Sequence, residues 1–358
     1  MRLKVIILFS FLFTLACNKE DINQPFTEES KFVSAVDVSL YPELKTSNPK
    51  FYDSDSISKD FISILKSKGV NTIRLRLWVN PANGQSGFSE VKQFSETLKA
   101  SGFRIWLSLH YSDTWADPGQ QQPPYNWQNI QYTALKDSVY TYTKKVMTQI
   151  QPNYIQIGNE INSGFLHPYG HLTNNSSQFI ELLQKGILAV RESSHSTKII
   201  IHFAGIQSAQ WFFNNLTALD YDIIGLSYYP IWHGKSLANL KSVMINLSET
   251  YNKELVIAET AYPFTLQWND WTNNIVGLEN QLILPDFPAT AIGQKDFVKS
   301  IIKLVKEIPN KKGIGFCYWG AESIAWNGPQ ATNGSTWENQ AVFDFQNQAL
   351  PVLEEFKE

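Results

Sequence analysis

Eight short apolar runs, each followed by a stretch of helical periodicity, constrain the fold of this chain more than any other feature. The runs are VSAVDVS (33–39), NTIRLRLW (71–78), RIWLSLHYS (104–112), YIQIGNE (154–160), KIIIHFAG (198–205), IIGLSYYP (223–230), LVIAETAYP (255–263) and GIGFCYWG (313–320). Their β-branched and aromatic content reads as strand. The segments between them carry helix signals, such as SISKDFISILKSKG with Gly69 as its stop and FVKSIIKLVKEIPNKKG, ending near Pro309. Parallel strands need such crossovers, and eight of them predict a closed (β/α)8 barrel, a TIM barrel of α/β class. A doubly wound sheet is the alternative, disfavoured because no glycine-rich first turn is present. The chain's 358 residues suffice for one barrel with long loops, and two stretches, 112–127 and 263–291, are long enough to suggest a built site on one face.

The first seventeen residues pose a separate problem. MRLKVIILFSFLFTLAC places Arg2 and Lys4 before an apolar run from Val5 to Ala16, then Cys17. Twelve residues make about 18 Å of helix against roughly 30 Å of hydrocarbon, so the stretch reads as an export signal rather than a span. A Cys directly after a small residue resembles the bacterial lipobox, with Cys17 as the lipidated residue and residues 18–32 as a polar tether to a domain over 33–358. The protein is then expected to be exported and held to the outer membrane or cell surface by lipid alone. Cys317 is left by itself in GIGFCYWG and reads as a small buried thiol, with no disulfide framework. A net charge of −3 gives no electrostatic reason to expect nucleic acid as a partner, and a monomer is expected. The 11 Trp, 15 Tyr and 22 Phe are more than a core of this size requires; most fill it, and the rest suit stacking on sugar rings.

In a barrel, chemistry sits at the carboxyl ends of the strands. The runs end on Asp37, Arg76, His110, Asn159, Glu160, Tyr229, Glu259 and Trp319. Core packing does not account for so many polar groups at one end, because a buried unpaired charge is costly. Two glutamates, Glu160 after the fourth run and Glu259 after the seventh, supply what glycoside hydrolysis needs: one carboxyl to protonate the leaving oxygen, one to attack carbon or activate water. Taken singly, either could be a solvated loop carboxylate. Schiff-base chemistry lacks a lysine at this face, since Lys198 opens its strand; a metal hydrolase lacks clustered ligands; and His167 and His171 in HPYGH read as a loop pair that could contact substrate.

Together the runs DVSLYPEL, GVNTIRLRLWVNP, LSLHYSDTWADPGQQQPPYNW, IQIGNEINSGFLHP, IGLSYYPIWHG, VIAETAYPFTL and ENQAVFDF resemble the endo-β-1,4-galactanases of glycoside hydrolase family 53, over residues 35 to 345. The resemblance implies a retaining enzyme acting on β-1,4-galactan or arabinogalactan, with Glu160 as general acid/base and Glu259 as nucleophile. Arg76 is expected beside Glu259, keeping it ionised, with Tyr229 donating to it and Asn159 gripping the sugar 2-OH. Asp37 and His110 are expected as hydrogen-bonding sugar contacts, Trp319 and Trp115 as stacking ones. The bland alternatives are that Trp115 packs its loop, that Asp113 and Asp117 cap turns, and that Asp37 braces the barrel through Arg76. A sister enzyme for mannan or xylan, or a non-catalytic glycan-binding lipoprotein, remains open from the residues alone.

No cofactor is expected for catalysis. Bacterial relatives of this type bind calcium in the loop after the seventh strand through an acidic run; here it reads QWNDWTNN, leaving Asp270 and Asn274 as oxygen ligands and Trp268 where an Asp is expected. Calcium favours six to eight oxygens, so weak binding or none is expected.

Overall fold

The computed structural model describes residues 32–357; the expected export signal, Cys17 and nearly all of the tether lie outside them. Eight parallel strands close into a barrel: β1 (Val33–Asp37), β2 (Thr72–Leu77), β3 (Arg104–Leu109), β4 (Tyr154–Ile157), β5 (Lys198–Ala204), β6 (Ile223–Ser227), β7 (Glu254–Thr260) and β8 (Gly313–Tyr318). Closure is made where Val33 pairs with Gly315 on one side of β1 and Ala35 with Thr72 on the other. All eight expected strands are present, and the barrel replaces the doubly wound alternative. Every run overshoots its ladder at the carboxyl end, by one to three residues, because the residues there leave the sheet to build the mouth.

Helices cover the outside: α1 (Phe61–Ser67), α2 (Phe88–Ala100), α3 (Tyr132–Gln149), α4 (Ser176–Arg191), α5 (Ala209–Asn214), α6 (Leu237–Tyr251) and α7 (Ala291–Lys306), with a 3₁₀ turn at Pro351–Phe356 after β8. Their ends follow sequence chemistry. Asp60, Ser236 and Thr290 each accept a backbone N–H from the first turn of α1, α6 and α7, and Gly69, at φ 95°, follows α1 in a conformation open to glycine. On α4, Phe179, Leu182, Leu183, Ile187 and Val190 make one buried stripe.

Inside the barrel the lower layers are apolar, with Val33, Ala35, Trp106, Ile200, Ile223, Val256, Ala258 and Cys317 packed together. Cys317 is fully buried, and burial pushes its thiol well above the ordinary range, so it is inert packing. Above it the interior turns polar: Arg74, Ser108, Gln156, His202 and Ser227 are all buried and all point into the barrel from alternate strand positions. Lys198 stays at the opposite rim, facing Glu254 at 3.7 Å.

Candidate active site

Strict alternation along β7 sends Val256 and Ala258 inward and Leu255, Ile257 and then Glu259 outward, against the helices. A β-bulge prevents this. Ladder partners step from Leu226–Ile257 to Ser227–Glu259, so one extra residue is taken up in β7 and Glu259 turns into the barrel beside Ala258. Glu160 reaches the same space by another device. The chain after β4 passes through left-handed backbone at Gly158 (φ 80°) and again at Glu160 itself (φ 47°), an uncommon conformation for a residue with a side chain. A Cβ on Gly158 would sit 2.5 Å from Ile161 Cγ2, so glycine is needed there for space as well as for its dihedral angle.

The two carboxylates meet. An oxygen of Glu160 and an oxygen of Glu259 lie within 4.8 Å of each other, the spacing of a retaining pair rather than of an inverting pair, whose carboxyls stand about 6.5–9.5 Å apart. Their surroundings differ. Glu259 accepts from Arg74 Nη2 on Oε1 at 2.8 Å and from the Tyr229 hydroxyl on Oε2 at 3.1 Å. Burial, with the charge of Asp37, leaves its proton affinity above that of an ordinary carboxylate, while Arg74 foremost, with Tyr229, works against the rise. Among the described residues Glu160 has no cation in hydrogen-bond contact, and Arg74 acts on it only through its field. Burial first, and then the charge of Glu259, push its carboxyl up to about 8, opposed by the hydroxyl of Ser227, which donates to Oε1.

Arg74, not Arg76, is the guanidinium of this pair, which corrects the sequence-based expectation. Arg74 is 2% exposed and bridges Asp37 at 2.7 Å and Glu259 at 2.8 Å while donating to Asn159 Oδ1 at 2.9 Å. Its burial favours the neutral form, but Glu259 and Asp37 together hold it firmly charged. Asp37 therefore braces the site through Arg74. Arg76 points inward one layer higher; its guanidinium lies 4.3 Å from the Trp78 ring and 4.0 Å from the Trp115 ring, with Nε donating to Ser86. Both arginines sit on the same face of β2, two residues apart, and counting only what a strand presents last selects the wrong one. A long side chain from the layer below reaches up to the carboxylates.

A cavity of about 610 Å³ opens above the pair, and Asp37, Arg76, His110, Trp115, Asn159, Tyr229 and Trp319 all line it. His110 is held neutral by burial and the nearby Arg76 and Arg74, and its Nδ1 accepts the backbone N–H of Ala116. Asn159 donates one amide hydrogen to Ala116 O, leaving the other available at the cavity. The aromatic wall is wider than the sequence suggests: Trp115, Trp319, Trp337 and Trp232 follow one another with ring centroids 6.3, 4.4 and 6.1 Å apart. Trp337, from the loop after β8, and Trp232, from the short helix Pro230–His233, lie outside the strand-end census. Asp113 caps its loop by accepting from Asn80 and Tyr125, while Asp117 both caps Gly119 and lines the cavity. His167 and His171 pack against each other with ring centroids 4.7 Å apart and planes tilted by 34°, and they do not line it.

Beside the mouth, the loop after β7 meets the loop after β8. Asp270 Oδ2, Asn274 Oδ1 and Glu338 Oε2 are buried there without a hydrogen-bond partner, and Glu338 faces both of the others. Asp270 Oδ1 and Glu338 Oε1 accept backbone N–H groups, and the one free oxygen of each carboxylate, with the amide oxygen, fits a hard cation such as calcium. Glu338 lies 64 residues beyond Asn274, too far along the chain to be read as part of one motif.

The profile of Glycosyl hydrolase family 53 matches residues 33–356. An arabinogalactan endo-β-1,4-galactanase of Cellvibrio japonicus is 33% identical over 360 residues, covering 94% of this chain and 93% of that protein. An endo-β-1,4-galactanase of Bacillus subtilis is 30% identical, covering 91% and 85%. The solved GH53 catalytic domain of Ignisphaera aggregans superposes with a TM-score of 0.85 at 34% identity, over 93% of this chain and 98% of that one. With its eight strands, facing glutamates and whole-domain match, the chain belongs to glycosyl hydrolase family 53.

Proposed function

We propose that this protein is an exported retaining endo-β-1,4-galactanase, acting on galactan and arabinogalactan chains. The observation that carries the reading is the Glu160–Glu259 pair, within 4.8 Å and in unlike surroundings. Glu259, held by Arg74 and Tyr229, attacks the anomeric carbon as Glu160 gives its proton to the departing glycosidic oxygen; Glu160 then takes a proton from the water that releases the glycosyl group. Asn159 holds the 2-OH, His110 and Asp37 face further hydroxyls, and the tryptophan wall stacks on successive rings. The galactan preference is supported by the names of the relatives above. Export and lipidation at Cys17 rest on the leader sequence, and the protein acts as a monomer with no nucleic-acid partner. No helix among the described residues is long and apolar enough to cross a membrane. A calcium ion held by Asp270, Asn274 and Glu338 would tie the two loops together and take no part in bond cleavage.

Reducing-end release from a panel of purified polysaccharides tests this reading. Galactan should be cleaved to oligosaccharides, mannan and xylan should not, and Glu259→Ala should be inactive yet folded. Binding without cleavage, or preference for another polysaccharide, would overturn it.

A further inference from the structure

Beneath Glu160, two buried residues of neighbouring strands form a chain of hydrogen bonds that ends on its carboxylate. His202 on β5 and Ser227 on β6 are both fully buried. The backbone N–H of Glu160 points at His202 Nδ1 at 3.4 Å, and the side-chain amide of Gln156 lies 2.9 Å from the same nitrogen. Asn159 Oδ1 also lies 3.2 Å from Nδ1, but that oxygen already accepts from Arg74 and Gln156 at 2.9 Å each, so the backbone N–H of Glu160, which can only donate, makes Nδ1 the acceptor and the ring proton sits on Nε2. Nε2 is 2.9 Å from Ser227 Oγ. Because it donates there, the serine's own hydrogen turns away from the ring and towards Glu160 Oε1, its remaining neighbour. Oε1 is thus occupied as an acceptor, and Oε2 takes no hydrogen bond among the described residues.

We infer that His202 and Ser227 are positioning residues that fix which oxygen of Glu160 carries the catalytic proton: Oε2, the one left facing the leaving group. The inference rests on Glu160 being the acid/base. The ring stays neutral, since burial and the facing Arg74, His110 and His233 all oppose a second proton on it. Glu160 in turn faces Glu259 from β7, Arg74 from β2 and Asp117 from the loop after β3. Among the described residues none of these hydrogen-bonds to Oε1, so the serine hydroxyl selects the oxygen. A side chain without a donor at 227 frees the carboxyl to protonate on either oxygen and removes a bond that favours its charged form.

The test is a titration of Glu160 by carbon NMR of carboxyl-labelled glutamate, with Glu160→Gln identifying its signal. Ser227→Ala should raise the midpoint by about one pH unit, the worth of a hydrogen bond to a charged acceptor. The basic limb of kcat/KM on galactan should move by the same amount, with kcat down about tenfold from misaligned proton transfer and KM unchanged. Ser227→Thr, which keeps the hydroxyl, should restore both. His202→Asn, which keeps a polar atom near Nδ1 and drops the Nε2 donor, should shift the midpoint part of the way. An unmoved midpoint in Ser227→Ala overturns the relay. Failure of the wild type to cleave galactan would instead overturn the galactanase reading, and the titration would still decide the relay.

Discussion

Arg74 Nη2 lies 2.8 Å from Glu259 Oε1, and the same side chain reaches Asp37 at 2.7 Å through Nη1, so one buried cation balances two buried carboxylates. Remove it and both are left unpaired, at a cost of about 3–5 kcal/mol. Replacement by Lys keeps the charge and loses the fork. Arg74→Lys should therefore fold, lose about a hundredfold in kcat by the standard of other misplaced electrostatic partners, and show the acidic limb of kcat/KM at higher pH, because Glu259 then protonates more readily. Arg76→Lys should leave that limb in place. Paired pH–rate profiles of the two variants check this.

Stability carries the same signature with opposite sign. Glu160 is raised from 4.5 to about 8 in the folded protein, so the native state keeps a proton that the unfolded chain gives up. Its contribution is fully present below pH 4.5 and is lost as pH rises through about 8. Glu160→Gln, which cannot ionise, should match the wild-type Tm near pH 4 and exceed it by a few degrees, roughly, near pH 8. Thermal melts across that window measure the difference.

The outer part of the tryptophan wall should bind more than it catalyses. Trp337 packs within 4.4 Å of Trp319 and 5.4 Å of Tyr229, whereas Trp232 is 54% exposed. Trp337→Ala should raise KM on galactan about tenfold with a smaller fall in kcat, and Trp232→Ala should raise it less, since a partly solvated ring gives up less on truncation. Steady-state kinetics on the polymer separate the two.

Calcium should stabilise without being consumed in turnover. Adding it should raise the Tm and a chelator should lower it again, by RT ln(1 + [L]/Kd) in free energy. Glu338→Gln should sharply reduce the gain, because it leaves Asp270 as the one carboxylate charge facing the cation. A melt insensitive to both additions would remove the site.

Much of this was legible in the chain before any coordinates. Strand count and order follow from apolar periodicity, and Glu160, Asn159, Tyr229 and Trp319 stand out because strand ends in a barrel have no packing reason to be polar. What escaped was set by geometry that periodicity does not encode. Arg74 looks like a barrel-filling residue until its length is followed upward. His202 and Ser227 sit in the middle of apolar runs, where a polar residue reads as a satisfied core group. Glu259 is legible as a strand-end carboxylate, but the bulge that turns it inward from an outward position is announced by no residue type. Trp337 and Glu338 belong to the loop after β8, and what they meet at the mouth, Tyr229 and Asn269 among them, lies far away in the chain.

The stereochemistry of the first product tests the paired-glutamate mechanism most directly. Proton NMR during early hydrolysis of galactan should show the β-anomer of the new reducing end appearing first and converting to α only by mutarotation, as two carboxylates this close require. Initial release of the α-anomer would mean a single displacement by water, and Glu259 would not be the nucleophile.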